Sequence, residues 1–376
     1  MEDSLISWKV SWHFNINCMK LLFLSKRKPQ GRDIINRPYG RFFHLPRLLA
    51  ERGHEVHILL MCYDIGQNAA DIHKCGIHWY SRSPFNKGSS SYLSTASSLM
   101  DSIKPDWVIG CSDTYYGILA EFLGFRHYCH SIIDAYDNYE SYLPWCTPLH
   151  YLWRRAVSRA TVVTAAGPQL AALLQKSRPG KPVYIVPMAA DSERFFPQDK
   201  TNCRKEIYLP LERKIIGYCG SIYRNRGMQT LFDAYNILNE DGNDIDLVLT
   251  GRKSKSIKLP SSVKWLGYIP DEEMPFFLNS LDAAVIVNRI SRFGSYSYPV
   301  KLYEAMKCQI PLVATDTPSV HWILKGNEQL LSRPDDPCDL ADKIKKVLSF
   351  ERMEYGELNS WEQSCLYFEE ILLGRI

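Results

Sequence analysis

The sequence lacks several features that mark common protein classes. Its 11 cysteines stand singly between Cys18 and Cys365, without a CxxC pair or the spacing of a metal site. This excludes a disulfide scaffold or a zinc finger and indicates reduced thiols. No run of 18 apolar residues is present, and the opening MEDSLISWKVSWHFNINC is unlike a secretory signal. These absences predict a cytoplasmic protein that does not span a membrane.

Two further signatures are missing or misplaced. The turn after the first apolar run reads KRKPQGRDIINRPYG and contains no GxGxxG, so the fingerprint of NAD binding is absent. Asp244 and Asp246 spell a DxD, but this pair precedes an apolar run instead of ending one. We therefore expect neither NAD nor a bound metal ion.

The composition indicates a globular protein whose charge is unevenly distributed. The 376 residues are 45% hydrophobic and 23% charged, which is enough for about two domains. The net charge of +4 conceals a basic segment near the N-terminus, whose only acidic residues are Asp33 and Glu51. We expect this segment either to attract phosphate groups or an anionic membrane surface, or to form a solvated face. Its basic residues are Lys20, Lys26, Arg27, Lys28, Arg32, Arg37, Arg41, Arg47 and Arg52.

Short apolar runs alternate with amphipathic stretches, a pattern typical of βαβ units and parallel sheets. The first half predicts strands at Leu21–Ser25, Val56–Met61, Trp107–Cys111, Tyr128–Ile133, Thr161–Ala165 and Val183–Val186. The second half predicts strands at Ile215–Cys219, Ile245–Thr250, Val263–Leu266, Ala283–Val287 and Pro311–Ala314. The polar segment Phe196–Lys214 joins the halves. The predicted fold class is therefore α/β, with two parallel-sheet domains.

The segment YCGSIYRNRGMQTL combines features of a phosphate site. A predicted strand ends before Gly220, a short loop carries Arg224 and Arg226, and a helix is predicted from Gly227 to Glu240. Backbone N–H groups at a helix start and guanidinium groups both bind phosphate oxygens. A glycine turn between a strand and a helix is also structurally common, so a plain turn is the alternative.

The segment YSYPVKLYEAMKCQIPLVATDTPS places two charges at the start of another predicted helix. Pro299 begins the helix, and Lys301 and Glu304 lie three residues apart on one face. An ion pair explains this arrangement simply. The carboxylate could equally accept hydrogen bonds from a ribose diol.

Acidic residues follow the predicted strand that ends at Ile133. Asp134, Asp137 and Glu140 lie in SIIDAYDNYESY, and residues that follow a parallel strand face the edge where ligands bind. Asp134 and Asp137 are candidate catalytic residues that would orient an acceptor hydroxyl or a donor sugar. A solvated acidic loop is the alternative.

The two halves together resemble a known family, the retaining glycosyltransferases of the GT-B fold, and within them the large family 4 (glycosyltransferases group 1). The resemblance covers nearly the whole chain from Met19, and it depends on the order and spacing of moderately specific segments. The most diagnostic segment is PVKLYEAMKCQIPLVATD. The others are RLLAERGHEVHIL, KPDWVIGCS, VPMAADSERFFP, GSIYRNRG and VKWLGYIPDEEMPFFLNSLDAAV.

The resemblance implies roles for individual residues. Glu304 matches a glutamate that hydrogen-bonds the donor ribose, and Gly220 matches a loop glycine. Arg226 stands where the family has a lysine on the donor diphosphate, so it would stabilise the leaving group during catalysis. Ser221 departs from the pattern, because an arginine commonly stands there, and Arg224 is the expected substitute.

A second departure from the family pattern is Tyr296, where many members carry a glutamate that faces the donor sugar. The loop Phe293–Pro299 is therefore expected to contact the sugar through backbone N–H groups. The remaining expected donor-binding residues are Gly227, Gly251, Tyr268, Ser295, Pro299 and Lys301.

The resemblance also implies an architecture. We expect an extension at residues 1–18, a Rossmann-like acceptor-side domain at residues 19–197 and a Rossmann-like donor domain at residues 198–355. Residues 356–376 are expected to form a helix that packs back on the first domain.

The implied reaction moves a sugar from a nucleotide-diphosphate sugar to a glycan, a lipid-linked acceptor or a small molecule. It would retain the anomeric configuration and use neither a metal nor a cofactor besides the co-substrate. No nucleic-acid partner is expected. Peripheral contact with a membrane is expected through the basic N-terminal domain.

Three other functions fit parts of the sequence. A sugar-nucleotide epimerase or hydrolase would use the same loop, with Asp134, Asp137 and Glu140 as acid and base. A catalytically inactive GT-B binding protein would explain the departures at Ser221 and Tyr296. A dehydrogenase has the least support. Product analysis would identify an epimerase or hydrolase. Nucleotide binding without turnover would identify an inactive binding protein, and NAD binding would identify a dehydrogenase.

Overall fold

The structure, a computed structural model, describes residues 18–64, 70–85, 91–240, 242 and 244–376. It contains two sheets with helices packed against them, as the alternation of strands and helices predicts. The expected extension at residues 1–18 lies outside the described residues, apart from Cys18. Among the described helices, none is both long and apolar enough to cross a bilayer.

The first sheet belongs to the N-terminal half of the chain. Its strands are β1 Lys20–Lys26, β2 Glu55–Met61, β3 Ala70–Lys74, β4 Ile77–Arg82, β5 Trp107–Cys111, β6 His130–Ala135, β7 Val162–Ala165 and β8 Tyr184–Ile185. They lie in the order β3-β4-β2-β1-β5-β6-β7-β8. Neighbours are parallel, except that β3 and β4 form an antiparallel pair at one edge.

The second sheet belongs to the C-terminal half. Its strands are β9 Lys214–Cys219, β10 Ile245–Thr250, β11 Lys264–Trp265, β12 Ala283–Ile286, β13 Leu312–Thr315 and β14 Leu331–Ser332. The order is β11-β10-β9-β12-β13-β14, and all neighbours are parallel. The predicted fold class is therefore confirmed.

Helices connect the strands and bury their apolar faces on the two sheets. Phe42, Leu45 and Leu49 of α1 pack in the first core, and Leu231, Phe232 and Leu238 of α7 pack in the second. The helices are α1 Arg41–Glu51, α2 Tyr92–Ile103, α3 Thr114–Arg126, α4 Thr147–Arg159, α5 Pro168–Gln175, α6 Lys200–Glu206, α7 Met228–Glu240, α8 Met274–Asn279, α9 Val300–Lys307, α10 Pro318–Ile323, α11 Pro337–Val347 and α12 Trp361–Leu372.

The C-terminal helix α12 returns to the first domain, as predicted. Trp361 and Phe368 belong to the core of the first domain. Glu369 is buried and accepts hydrogen bonds from Arg52 at 2.7 Å and from His54 Nε2 at 2.8 Å. His54 Nδ1 accepts a hydrogen bond from the Met19 backbone, which fixes Nε2 as the donor to Glu369. A carboxylate of α12 is thereby held by the N-terminal half of the chain.

The basic N-terminal segment does not carry the uncompensated positive field that its sequence suggests. Each of its nine basic residues pairs with a carboxylate, and most of these carboxylates lie far away in the sequence. The pairs are Lys20–Glu55, Lys26–Asp113, Arg27–Asp33, Lys28–Asp64, Arg32–Asp271, Arg37–Asp271, Arg41–Asp134, Arg47–Glu51 and Arg52–Glu369. Folding brings these partners together, so the local excess of positive charge is largely cancelled.

We predict that Glu369→Gln lowers the free energy of unfolding by about 2 kcal/mol, because the buried hydrogen bonds to Arg52 and His54 involve charged groups. Denaturant unfolding of the full chain measures this change. Glu370→Gln is the matched control, since its ion pair with Arg375 is exposed and should contribute less than about 0.5 kcal/mol. Equal effects of the two substitutions would show that α12 is not anchored through Glu369.

Candidate functional site

A cavity of about 580 Å³ lies between the two domains. It is lined by residues at or just after the carboxyl ends of several strands, among them Lys26 and Ser112 in the first domain and Gly220, Gly251 and Asn288 in the second. Ligands of parallel α/β sheets bind at this edge, because the loops there face outward and the following helices begin there. The cavity is therefore the candidate functional site.

Two glycines allow the loops after β9 and β10 to touch. A Cβ atom on Gly251, whose φ is +127°, would lie 1.9 Å from the carbonyl oxygen of Gly220. Gly220 also has a positive φ of 157°. Both residues line the cavity. Position 251 requires glycine, because a side chain there would collide with the backbone of Gly220.

Arg226 brings a cation to the cavity without a carboxylate partner among the described residues. Its guanidinium lies 4.3 Å from the centre of the Phe293 ring, a cation–π contact that orients the side chain and leaves its N–H donors available. The residue lies in a short 3-10 turn, Arg224–Arg226, immediately before Gly227 and α7. An unpaired guanidinium beside a helix N-terminus favours binding of an anion.

The N-terminal end of α9 also opens into the cavity. Pro299, Val300, Lys301 and Glu304 all line it. Lys301 Nζ lies 3.0 Å from Glu304 Oε2, and this buried oxygen has no other polar partner among the described residues. Burial opposes the charge of Lys301, but the Glu304 carboxylate together with Cys219 gives a net rise in the pKa of Lys301. The pair thus combines a cation with an oxygen that can still accept a hydrogen bond.

Of the three acidic residues predicted to follow β6, Asp137 is the one that lines the cavity. It is buried and accepts a hydrogen bond from the Tyr142 hydroxyl at 2.7 Å. Burial raises the pKa of Asp137 to about 7, although the hydrogen bond from Tyr142 and the charge of Arg226 both oppose this rise. A carboxyl group with such a pKa can hold or release a proton near neutral pH.

Asp134 does not lie at the cleft edge, contrary to the expectation from its position after a predicted strand. The strand extends to Ala135, and Asp134 is buried within it. Its two oxygens accept hydrogen bonds from Arg41 at 2.6 and 2.9 Å, and the Thr164 hydroxyl donates a third at 2.6 Å. Arg41 lines the cavity. Asp134 therefore holds the guanidinium of Arg41 at the cavity wall without lining the cavity itself. Glu140 points elsewhere and pairs with Arg154.

Four of the expected donor residues lie outside the cavity lining: Arg224, Gly227, Ser295 and Tyr296. Arg224 lines a separate cavity of about 710 Å³, on the other side of the turn, because the 3-10 turn directs it away from Arg226. It therefore does not replace the arginine missing at Ser221. Tyr296 packs against the core of the first domain. The remaining expected donor residues do line the cavity, namely Gly220, Ser221, Arg226, Gly251, Tyr268, Pro299, Lys301 and Glu304.

The first domain contributes cavity residues that sequence reasoning missed. Arg32, Arg41 and Arg194 line the cavity together with Tyr136. Arg252 also lines it and directly follows Gly251 at the end of β10, a position that could have been noticed. Arg32 and Arg41 belong to the basic segment that the sequence predicts either to attract anions or to form a solvated face. Arg194 and Tyr136 gave no signal, because their approach to the cavity depends on the packing of the two domains.

Two sequence profiles match the chain. The profile described as "Glycosyltransferase Family 4" matches residues 41–194, and the one described as "Glycosyl transferases group 1" matches residues 213–349. A mannosylfructose-phosphate synthase of Agrobacterium fabrum is 27% identical over 198 residues, which cover 48% of this chain and 42% of that protein. The match thus spans less than half the length of this curated relative.

Solved structures of similar fold cover nearly the whole chain. Sucrose-phosphate synthase from Thermosynechococcus elongatus has a TM-score of 0.70 at 14% identity, covering 95% of this chain and 94% of that one. HepE from Anabaena, solved in complex with UDP, has a TM-score of 0.70 at 13% identity, covering 95% of this chain and 97% of that one. At these identities the likeness establishes the two-domain fold.

The two aspartates predict opposite responses to substitution. Asp137→Asn should stabilise the protein by on the order of 2 kcal/mol at pH 8, because it removes a buried carboxylate whose ionisation is unfavourable. A carboxyl group whose pKa is raised in the folded state makes the protein less stable as pH rises between the unfolded and folded pKa values, here between about 4 and 7. The stabilisation by Asp137→Asn should therefore disappear near pH 4.

Asp134→Asn is the contrasting variant. It should destabilise the protein by about 3 kcal/mol or more throughout this pH range, since it leaves the buried Arg41 without a charged partner. Urea unfolding at pH 4, 6 and 8 measures both effects. A destabilising effect of Asp137→Asn at pH 8 would contradict the assignment.

Proposed function

The chain belongs to the GT-B glycosyltransferases of family 4, group 1, and we propose that it transfers a sugar from a nucleoside-diphosphate sugar to an acceptor hydroxyl. The observation that carries this proposal is that one interdomain cavity holds both Arg226, which has no carboxylate partner among the described residues, and a buried Glu304 oxygen that contacts only the Lys301 ammonium. A diphosphate needs the cation, and a ribose diol needs the acceptor oxygen.

The donor diphosphate is assigned to the wall formed by Arg226, Lys301 and the N-terminal end of α9. The N–H groups at a helix start and two cations bind phosphate oxygens without a large rearrangement of the site. The ribose is assigned to Glu304 Oε2. Uracil is the first base to test, because a structure of similar fold contains UDP.

In the proposed reaction, the bond between the anomeric carbon and the diphosphate oxygen breaks, and its electron pair stays on the leaving diphosphate. The acceptor oxygen forms the new bond to the anomeric carbon. Its proton passes to the leaving phosphate oxygen, so charge and atoms balance. Arg226 stabilises the negative charge that grows on the diphosphate.

Asp137 is assigned to the sugar or the acceptor hydroxyl. It lies close enough to Arg226 for the guanidinium to lower its pKa against the effect of burial. Protonated, Asp137 donates a hydrogen bond, and ionised, it accepts one. The cavity walls from both domains surround the reacting groups, and excluding water there suppresses hydrolysis of the donor.

Thermal unfolding with nucleotides tests the donor site. UDP at 100 times its Kd should stabilise the protein by about 2.7 kcal/mol, and both Arg226→Ala and Glu304→Ala should lose most of this effect. Arg224→Ala is the matched control, because Arg224 lies two residues away but faces the other cavity. GDP, ADP and NAD are tested in parallel. No stabilisation by any nucleoside diphosphate, or stabilisation by NAD alone, would overturn the proposal.

Product analysis tests the reaction itself. We expect turnover to persist in EDTA, and NMR coupling constants should show the anomeric configuration of the donor in the product. Arg226→Ala should lower turnover by roughly 10²-fold, as for the loss of one oxyanion donor. Free sugar or an epimerised nucleotide sugar as the sole product would instead identify a hydrolase or an epimerase. An inverted product would contradict retention.

A further inference from the structure

The outer face of α3 and α4 exposes an unusual number of large aromatic side chains. In α3, the outward residues Tyr115, Phe122 and Phe125 recur at helical spacing. The opposite side of the same helix packs in a core cluster through Tyr116, Ala120 and Leu123. Because α3 is apolar on both sides, its outer side is not explained by packing among the residues that the structure describes.

The helices α3 and α4 pack side by side, and the exposed large hydrophobic side chains on them and at their ends are here called the aromatic face. The Arg159 guanidinium of α4 lies 4.9 Å from the centre of the Phe125 ring of α3, and Trp153 of α4 packs beneath Gly117 of α3. The most exposed members are Tyr128 at 99%, Trp145 at 77% and Phe125 at 69%. The aromatic face comprises Tyr115, Phe122, Phe125, Tyr128, Trp145, Tyr151 and Leu152.

Positive charge accompanies the aromatic face. Its two nearest glutamates are already neutralised, since Glu121 pairs with Arg159 at 2.7 Å and Glu140 pairs with Arg154 at 2.7 Å. The exposed Arg126 and Arg155 have no acidic partner among the described residues. At one end of the face, Asp101 pairs with His127 at 3.3 Å. The face therefore carries a net positive charge beside its apolar side chains.

The aromatic face begins at the mouth of the interdomain cavity. Ser112 lines the cavity two residues before α3, and Tyr142 lines it three residues before Trp145. A surface that holds the first domain against a bilayer would bring the cavity mouth close to lipid headgroups.

We propose that the aromatic face binds the surface of an anionic phospholipid bilayer. Tryptophan and tyrosine favour the interfacial region of a bilayer, where the ring is partly buried and the polar atom stays hydrated. Unpaired arginines favour anionic headgroups. This assigns the membrane contact to α3 and α4 and not to the basic N-terminal segment, whose cations are paired within the fold.

Vesicle flotation of the full chain tests this assignment independently of any sugar transfer. At low ionic strength, the protein should float with phosphatidylcholine–phosphatidylglycerol vesicles and remain below pure phosphatidylcholine vesicles. The double variant Arg126→Gln/Arg155→Gln should lower the partition coefficient roughly 30-fold. Phe122→Ser/Phe125→Ser should lower it at least about tenfold, because two apolar rings are lost from the contact.

Lys325→Gln/Lys346→Gln is the charge-matched control, since both lysines are exposed on the second domain. It should change the partition coefficient less than about threefold. Unfolding midpoints should match the wild type for all three double variants, because every substituted side chain is exposed. No flotation with anionic vesicles, or equal losses in the control and face variants, would overturn the proposal. A wild-type dimer in light scattering that Phe122→Ser/Phe125→Ser dissolves would also overturn it, because the face would then join two copies of the chain.

Discussion

The site is built around a bridging carboxylate, Asp271 of the second domain, which lines the cavity. Its two oxygens pair with Arg32 and Arg37, which follow the first strand of the first domain. Tyr268 accepts hydrogen bonds from the same two arginines, and Arg194 donates to the Asp271 carbonyl. These contacts bring the carboxyl edges of the two sheets face to face. Other contacts cross the same boundary, since Asn138 Nδ2 donates to the Arg292 carbonyl and the Tyr298 hydroxyl donates to Gln169.

Charge within the cavity is divided between paired and unpaired groups. Arg41 is held by Asp134 and Lys301 lies beside Glu304, so neither is a free cation. Arg226, Arg194 and Arg252 line the cavity without a carboxylate partner among the described residues, and Arg226 instead contacts the Phe293 ring. An exchangeable anion binds where a fold leaves a cation uncompensated, since no internal partner must first be displaced. Among these cations Arg226 lies directly before Gly227 and α7, and this position beside a helix N-terminus is why the diphosphate is assigned to it.

The sequence predicts the fold well, because buried parallel strands read as apolar runs whatever their partners are. The runs at Trp107–Cys111 and Ile245–Thr250 coincide with β5 and β10. The edge strand β3 escaped prediction because its sequence, ADIHK, is mostly exposed and carries little apolar signal.

The site is predicted less completely, because it depends on contacts between distant residues. Glu304, Arg226 and Asp137 follow from local motifs and line the cavity. The expectation that Asp134 lies at the cleft edge is wrong, because its partner Arg41 lies 93 residues away in the sequence. The same cause makes the basic N-terminal segment look free in the sequence when its charges are paired. The aromatic face gave no signal either, since exposure on α3 follows only from the packing of its other side.

Calorimetric titration of uridine, UMP and UDP, each into the wild-type protein, tests most directly the claim that the interdomain cavity is a diphosphate site. Affinity should rise with each phosphate, and UDP should bind at least about 100-fold more tightly than uridine, because charge-assisted hydrogen bonds contribute about 1.5–3 kcal/mol each. Equal affinities for uridine and UDP, or binding of none of UDP, GDP and ADP, would contradict the account.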